Sequence, residues 1–280
     1  MAELTSSLVK KMVRDLGADV VGIASVDRFK GAPAGHSPKD LMPESQSIIV
    51  AGIRIPDPVV EYDRYHLKMD DMPRDTAIPS VMENFYMLMG HYTIDIALNT
   101  LAVKLANKIE IGWGLRALPT PDTINTGLGR SVRGPLIGFF SQRHAATRAG
   151  LGEFGFSGLV LTPQFGPRVR FVSVITEAEL EPDPLVTEKI CFRGACGGKE
   201  GPKCFQRCAD GALKLREGID RNAIFIDPPT RLDISKCIRM GGDAAGFACT
   251  FVGTCMRECP NGMKVTKKEG RSIKRGRPPS

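Results

Sequence analysis

The sequence predicts an α+β protein, in which a mixed helix–strand core is followed by a cysteine-rich appendage. Three observations carry this. The β-branched runs "DVVGIASV" (19–26) and "SIIVAGIRI" (47–55) read as buried strands. Stretches with apolar residues at three- and four-residue steps read as helices around them. All eight cysteines fall between Cys191 and Cys259, which gives the end of the chain a chemistry of its own.

The elements follow in order. Residues 4–16 place Leu4, Leu8, Met12, Val13 and Leu16 on one helix face, and Gly17 ends the helix. The two strands come next. Residues 56–80 hold four prolines and many charges, which predicts a long loop. Residues 80–110 form a long helical stretch, and "GLRALPTPDT" is a strand running into a proline-rich turn. Residues 142–155 read as a short helix entering a glycine-rich turn. "SGLVLTP" (157–163) and "VRFVSVITE" (169–177) alternate as a pair of strands, and "LEPDPLV" closes the core with prolines. The expected domains are 1–185, 186–263 and a basic tail at 264–280.

With 42% hydrophobic and 25% charged residues over 280 positions, the composition is that of an ordinary globular protein. No apolar run approaches the roughly 18–20 residues that span a bilayer, so no membrane partner is expected. The N-terminal residues carry no export pattern, and the expected location is cytoplasmic. The net charge of +7 is uneven: residues 264–280 hold seven Lys/Arg against one Glu, or +6, which leaves +1 for the rest. This tail reads either as a solvated end or as an arm for a nucleic acid or another acidic partner.

The cysteine spacings are C-x4-C-x7-C-x3-C for Cys191, Cys196, Cys204 and Cys208, and C-x11-C-x5-C-x3-C-P for Cys237, Cys249, Cys255 and Cys259. Disulfides are rare in reducing compartments, so the crowding predicts metal or redox chemistry. Eight thiolates match two four-thiolate [4Fe-4S] sites. In two-cluster ferredoxins the fourth cysteine of a run ligates the other cluster. On that habit Cys191, Cys196, Cys204 and Cys259 share one cluster, and Cys208, Cys237, Cys249 and Cys255 share the other. Two zinc sites with four cysteine ligands each are the alternative, although only part of the spacing suits zinc knuckles.

Gly150-Leu151-Gly152-Glu153-Phe154-Gly155 has the outline of a dinucleotide loop. Such a fingerprint follows a strand and opens a helix, whereas this one follows a helix and precedes a strand. The glycines read instead as places where backbone approaches a large flat ligand.

The stretch "AGLGEFGFSGLVLTPQFGPRVRFVSVIT", followed by the double cysteine motif, resembles the cobalamin-dependent iron–sulfur reductases. These are the epoxyqueuosine reductases and the reductive dehalogenases. "LGADVVGIASVDRF", "SKCIRM" and "CMRECPNG" are similar to further stretches of them. The resemblance implies a nitroreductase-like corrin-binding core and a ferredoxin-like domain with two [4Fe-4S] clusters. These clusters would pass electrons to a corrinoid that reduces a small molecule or nucleoside. A low-potential donor of the ferredoxin or flavodoxin type is implied as partner. Gly150, Leu151, Gly152, Glu153, Gly155, Thr162, Pro163 and Gly166 become candidate corrin contacts, with Glu153 also a candidate structural partner of the loop amides. The family's proton-bearing aspartate position is Gln142 here, and an amide is no general acid. Tyr92, Arg143 and His144 are therefore the catalytic candidates, with His91 and Asp122 as further polar groups. The competing expectation is a non-catalytic two-cluster protein that reduces a partner enzyme or its corrinoid.

Overall fold

The computed structural model describes residues 3–61, 86–121, 140–208, 211–233, 236–237 and 254–263. Four antiparallel strands make the central sheet: β1 (Val20–Ser25), β2 (Ser47–Arg54), β3 (Ala117–Thr120) and β6 (Val169–Thr176), in the order β1-β2-β6-β3. The register runs from Val20 opposite Gly52 to Ser25 opposite Ser47, and from Ser47 opposite Thr176 to Arg54 opposite Val169. Both long central strands are apolar on both faces, so both faces must be covered.

One face is covered by α1 (Ser6–Asp15) and α4 (Thr93–Trp113). Thr5 caps α1, its hydroxyl accepting from the Leu8 N–H at 3.3 Å, and Gly17 follows the helix with φ +100°. Val9 and Val13 of α1 pack with Leu98, Leu101, Leu105 and Ile109 of α4 against Ile23, Ile49, Ala51, Val172 and Val174. Each such side chain, fully buried, contributes about 1.5–3 kcal/mol before chain entropy is counted. The short helices α2 (Pro38–Leu41) and α3 (Asp57–Val60) follow β1 and β2. A π-helical stretch, Tyr86–Tyr92, leads directly into α4.

The opposite face carries α5 (Gln142–Arg148) and the cysteine-rich appendage. Val20, Ala24, Ile48, Val50, Phe171 and Ile175 pack there with Ala145, Ala146, Phe154, Phe156 and Phe225, and Cys191, Cys204 and Phe205 lean on the same cluster. The appendage holds α6 (Lys203–Gln206), the pair β7 (Leu213–Leu215) and β8 (Thr230–Leu232), and α7 (Thr254–Arg257).

The expected pairing of 157–163 with 169–177 is corrected. β4 (Glu153–Phe154) pairs with β5 (Val160–Leu161), while β6 sits between β2 and β3. Alternation identifies a strand but not its neighbour, and β6 is apolar enough to be central. The basic tail, Asp122 and Cys249 lie outside the described residues. Among the described residues no helix is long and apolar enough to cross a membrane.

Candidate metal centre

Cys191, Cys196, Cys204, Cys255 and Cys259 line one pocket, with Gly155, Phe156 and Leu161 of the core as its inner wall. The thiols arrive on separate pieces of chain. Cys196 lies in the 3₁₀ segment Ala195–Glu200, Cys204 in α6, Cys255 in α7, and Cys259 just before the 3₁₀ turn Pro260–Met263. Burial pushes the Cys204 thiol up, and the thiols of Cys255, Cys191, Cys196 and Cys259 push it further. Burial also raises Cys259, to about 11, opposed by the backbone amides of Asn261 and Gly262, which donate to its sulfur. Crowded thiols of this kind hold their protons until a metal displaces them.

The donor set suits an iron–sulfur group: thiols alone, in an apolar setting, with amide N–H groups aimed at sulfur. Among the described residues no three His, Cys, Asp or Glu converge tightly enough for a single ion; the thiols ring a pocket instead. Cys208 and Cys237 do not line it.

Glu153 joins the core to this pocket. It is fully buried on β4. Its Oε1 accepts from the Ile190 N–H at 2.6 Å and the Cys191 N–H at 2.7 Å. Its Oε2 accepts from Arg193 and, at 3.3 Å, from the Phe225 N–H. The Arg193 guanidinium lies 4.4 Å from the Phe225 ring centroid and also donates to the Ala223 carbonyl at 2.7 Å. Arg193 has φ +52°, a left-handed backbone that costs a non-glycine residue on the order of 1 kcal/mol and persists here under these contacts.

A second junction is made by the turn after β5. Thr162 and Gly166 form an isolated bridge, and the Thr162 hydroxyl accepts from the Phe165 N–H at 3.1 Å. Gly166, at φ +57°, lies directly against the backbone of Asn261 and Gly262; a Cβ there would stand 2.5 Å from the Asn261 carbonyl carbon. Asn261, 1% exposed, donates through Nδ2 to the Ile190 carbonyl at 2.9 Å. Arg168 runs beneath Gly262 and is fully buried. It donates through Nη1 to Asp57 at 2.7 Å and through Nη2 to Glu61 at 2.6 Å.

A polar network lies at the start of α4. Asp95 Oδ2 is 2.6 Å from His91 Nδ1, and the Asp95 carboxylate also accepts from Arg170. Tyr86 is buried, with its hydroxyl 3.8 Å from the Met256 sulfur. Burial raises the Tyr86 phenol, Cys255 and Asp95 add to that, and Arg170 opposes it.

The catalytic candidates are spread apart. Tyr92 is exposed and lies beside His91, with ring centroids 5.5 Å apart. Arg143 donates to the Gly158 carbonyl at 2.8 Å. His144 has Nδ1 2.6 Å from the Ser141 hydroxyl and its ring 5.1 Å from that of Phe154, and it faces a groove lined by Arg216, Asp227 and Pro229. Burial depresses His144 to about 4, Arg148 lowers it further, and Asp227 opposes. Gln142 is a core residue: Nε2 donates to Thr120 Oγ1 at 3.0 Å and to the Pro121 carbonyl at 3.1 Å, and Oε1 accepts from Ser173 at 2.6 Å.

The eight candidate corrin contacts are engaged by protein or turned to solvent. A Cβ on Gly150 would overlap the Pro184 carbonyl, and one on Gly152 the Leu161 carbonyl. Leu151 packs under Gly22, Gly155 lines the thiol pocket, and Pro163 is exposed. Glu153, Thr162 and Gly166 are held by the protein contacts given above.

No protein-family model matches the chain. Among curated proteins, the tetrachloroethene reductive dehalogenase of Sulfurospirillum multivorans is 28% identical over 294 aligned positions, covering 92% of this chain and 50% of that protein. The corresponding enzyme of Dehalobacter restrictus is 29% identical, covering 74% of this chain and 37% of that protein. The epoxyqueuosine reductase of Bacillus subtilis is 26% identical, covering 80% and 49%. The chain is similar to these reductases over most of its own length. It spans half or less of their length. A solved catabolic reductive dehalogenase shares the fold at a TM-score of 0.58 and 19% identity, over 91% of this chain and 31% of that one.

Glu153 accepts from backbone amides, as its expected role as a partner of loop amides requires, although the amides belong to Ile190, Cys191 and Phe225. Arg168, Arg193 and Tyr86 are not singled out by the sequence, and the one hint is that Arg168 sits in an otherwise apolar, glycine-bearing run.

Proposed function

We propose that this protein is an oxidoreductase in which two [4Fe-4S] clusters relay single electrons to a corrinoid that reduces a small-molecule or nucleoside substrate. The observation that supports it is the pocket gathering five cysteines from both sequence motifs against the core's β4–β5 hairpin. Cys191, Cys196, Cys204 and Cys259 would hold the core-side cluster. Cys208, Cys237, Cys249 and Cys255 would hold the other. The core would be nitroreductase-like and the appendage ferredoxin-like. The corrinoid enters from the relatives: one solved reductive dehalogenase is described by a mechanism for B12-dependent dehalogenation, at a TM-score of 0.51 over 31% of that chain. No step is routed through the residues of the glycine turn. Tyr86, buried with its phenol pKa raised in the π-helical stretch before α4, would deliver the proton in place of the exposed Tyr92. A ferredoxin- or flavodoxin-type donor would supply the electrons.

The close protein contacts at Gly150 and Gly152 favour a second reading, a two-cluster carrier that reduces a partner enzyme or its corrinoid. Anaerobic purification and reconstitution with cobalamin separates the two. About eight iron per chain is expected in both, from two four-iron clusters. Stoichiometric retained corrin supports the reductase, and clusters without corrin support the carrier. A chain that takes up no iron and sulfide overturns both.

A further inference from the structure

We infer that Glu153 and Arg193 form a charge-balanced latch that positions Cys191 and sets the potential of the cluster it ligates. The inference rests on reading the thiol pocket as a cluster site and adds a role for two residues that supply no sulfur.

The argument begins with charge. Glu153 is 0% exposed and Arg193 has a side-chain exposure of 9%. A buried carboxylate and a buried guanidinium are each costly alone and tolerable only as a pair. The pair is not placed for packing. One carboxylate oxygen takes the amides of Ile190 and Cys191, so the charge is bonded to the backbone of a pocket cysteine. The other takes Arg193, two residues further on, so Cys191 is bracketed from both sides. The guanidinium has no room to wander. Phe225 lies 4.4 Å from it on one side, the Ala223 carbonyl accepts from Nη2, and Arg193 Nε and Nη1 find no hydrogen-bond partner among the described residues. The left-handed backbone at Arg193 shows that the segment bends to make the pair.

Two opposite charges fixed beside a cluster ligand cancel in the wild type. Removing one uncovers the other, and cluster potential responds to nearby charge and to the order of its ligands. Glu153→Gln leaves Arg193 uncompensated, which favours the reduced, more negative cluster and raises its potential. Arg193→Gln leaves the carboxylate uncompensated and lowers it. A purely structural role would loosen the site in both variants and move the potential the same way in each.

The test is a pair of redox titrations followed by electron paramagnetic resonance on anaerobically reconstituted wild type, E153Q and R193Q, with iron loss to a chelator measured alongside. The expected result is one centre shifted upward in E153Q and downward in R193Q, the second centre unmoved, and iron lost about tenfold faster in E153Q because the bonds to the Ile190 and Cys191 amides lose their charge assistance. Shifts of the same sign, or none, overturn the latch while leaving the cluster reading standing. A wild type that binds no cluster overturns the cluster reading and the latch with it. If E153Q does not fold, R193Q decides alone: a lowered potential supports the latch, and an unchanged or raised one overturns it.

Discussion

Replacing Arg168 by methionine tests whether the buried charges under the cysteine motif stabilise the protein or merely accompany it. The guanidinium is fully buried and makes two charge-assisted hydrogen bonds, to Asp57 at 2.7 Å and Glu61 at 2.6 Å. Methionine keeps most of the volume, so the cavity term is small. The loss is electrostatic. Asp57, 3% exposed, retains Arg54 at 2.8 Å, while Glu61, 6% exposed, loses its Arg168 contact. Breaking one partner out of a buried ion group costs about 3–5 kcal/mol. The retained Arg54 puts the expectation at the lower end, about 3 kcal/mol. Denaturant unfolding at neutral pH, followed by far-ultraviolet circular dichroism, measures it. The triple variant Arg168→Met, Asp57→Asn, Glu61→Gln removes the charges together and should recover more than half of the loss. A single variant within about 1 kcal/mol of wild type, or a triple variant no better than the single, refutes the reasoning.

Three further outcomes follow from the same geometry. Gly166→Ala should cost about 2–4 kcal/mol in unfolding measurements and speed iron loss, because a left-handed alanine must also push the Asn261–Gly262 backbone away. Gln142→Ala should cost about 2–3 kcal/mol in thermal unfolding, since it leaves Ser173 and Thr120 without their buried partner. His144, depressed to about 4 against an ordinary 6.5, binds its proton more weakly folded than unfolded. Stability therefore rises with pH between those values and is lost as the pH falls below about 6.5. With a third of the side chain exposed, the effect is discounted to about 1–2 kcal/mol, and His144→Asn should flatten that limb of the stability–pH curve.

Regular elements were legible because periodicity is a local signal. β1, β2, α1 and α4 lie where their apolar spacing puts them. Pairing is not local, and β5 joining β4 instead of β6 had no mark in its own residues. Which tyrosine of the long helical stretch turns inward was not legible either: the residues from Tyr86 to Tyr92 are π-helical, with an extra residue per turn, and Tyr86 is buried while Tyr92 is exposed. The cysteines stood out because eight soft ligands in one short region have few other uses. Arg168 and Arg193 did not, because a charged residue is usually solvated and only tertiary contacts reveal one that is not. The glycines were read for a flat ligand, yet a close approach looks the same in sequence whether the neighbour is a ligand or the Pro184 carbonyl.

The two stitches on Ile190 have a consequence for electron flow. Its amide is held by Glu153 of the core and its carbonyl by Asn261 from the far end of the cysteine motif. One residue thus rivets the beginning and the end of the appendage to the same hairpin. Such a unit is soldered rather than plugged in. Its spacing from the core would be fixed by those two bonds, so an electron crossing from a cluster in that pocket would meet the same gap each time, and a chain cut after residue 185 would expose Glu153 without the amides it now holds.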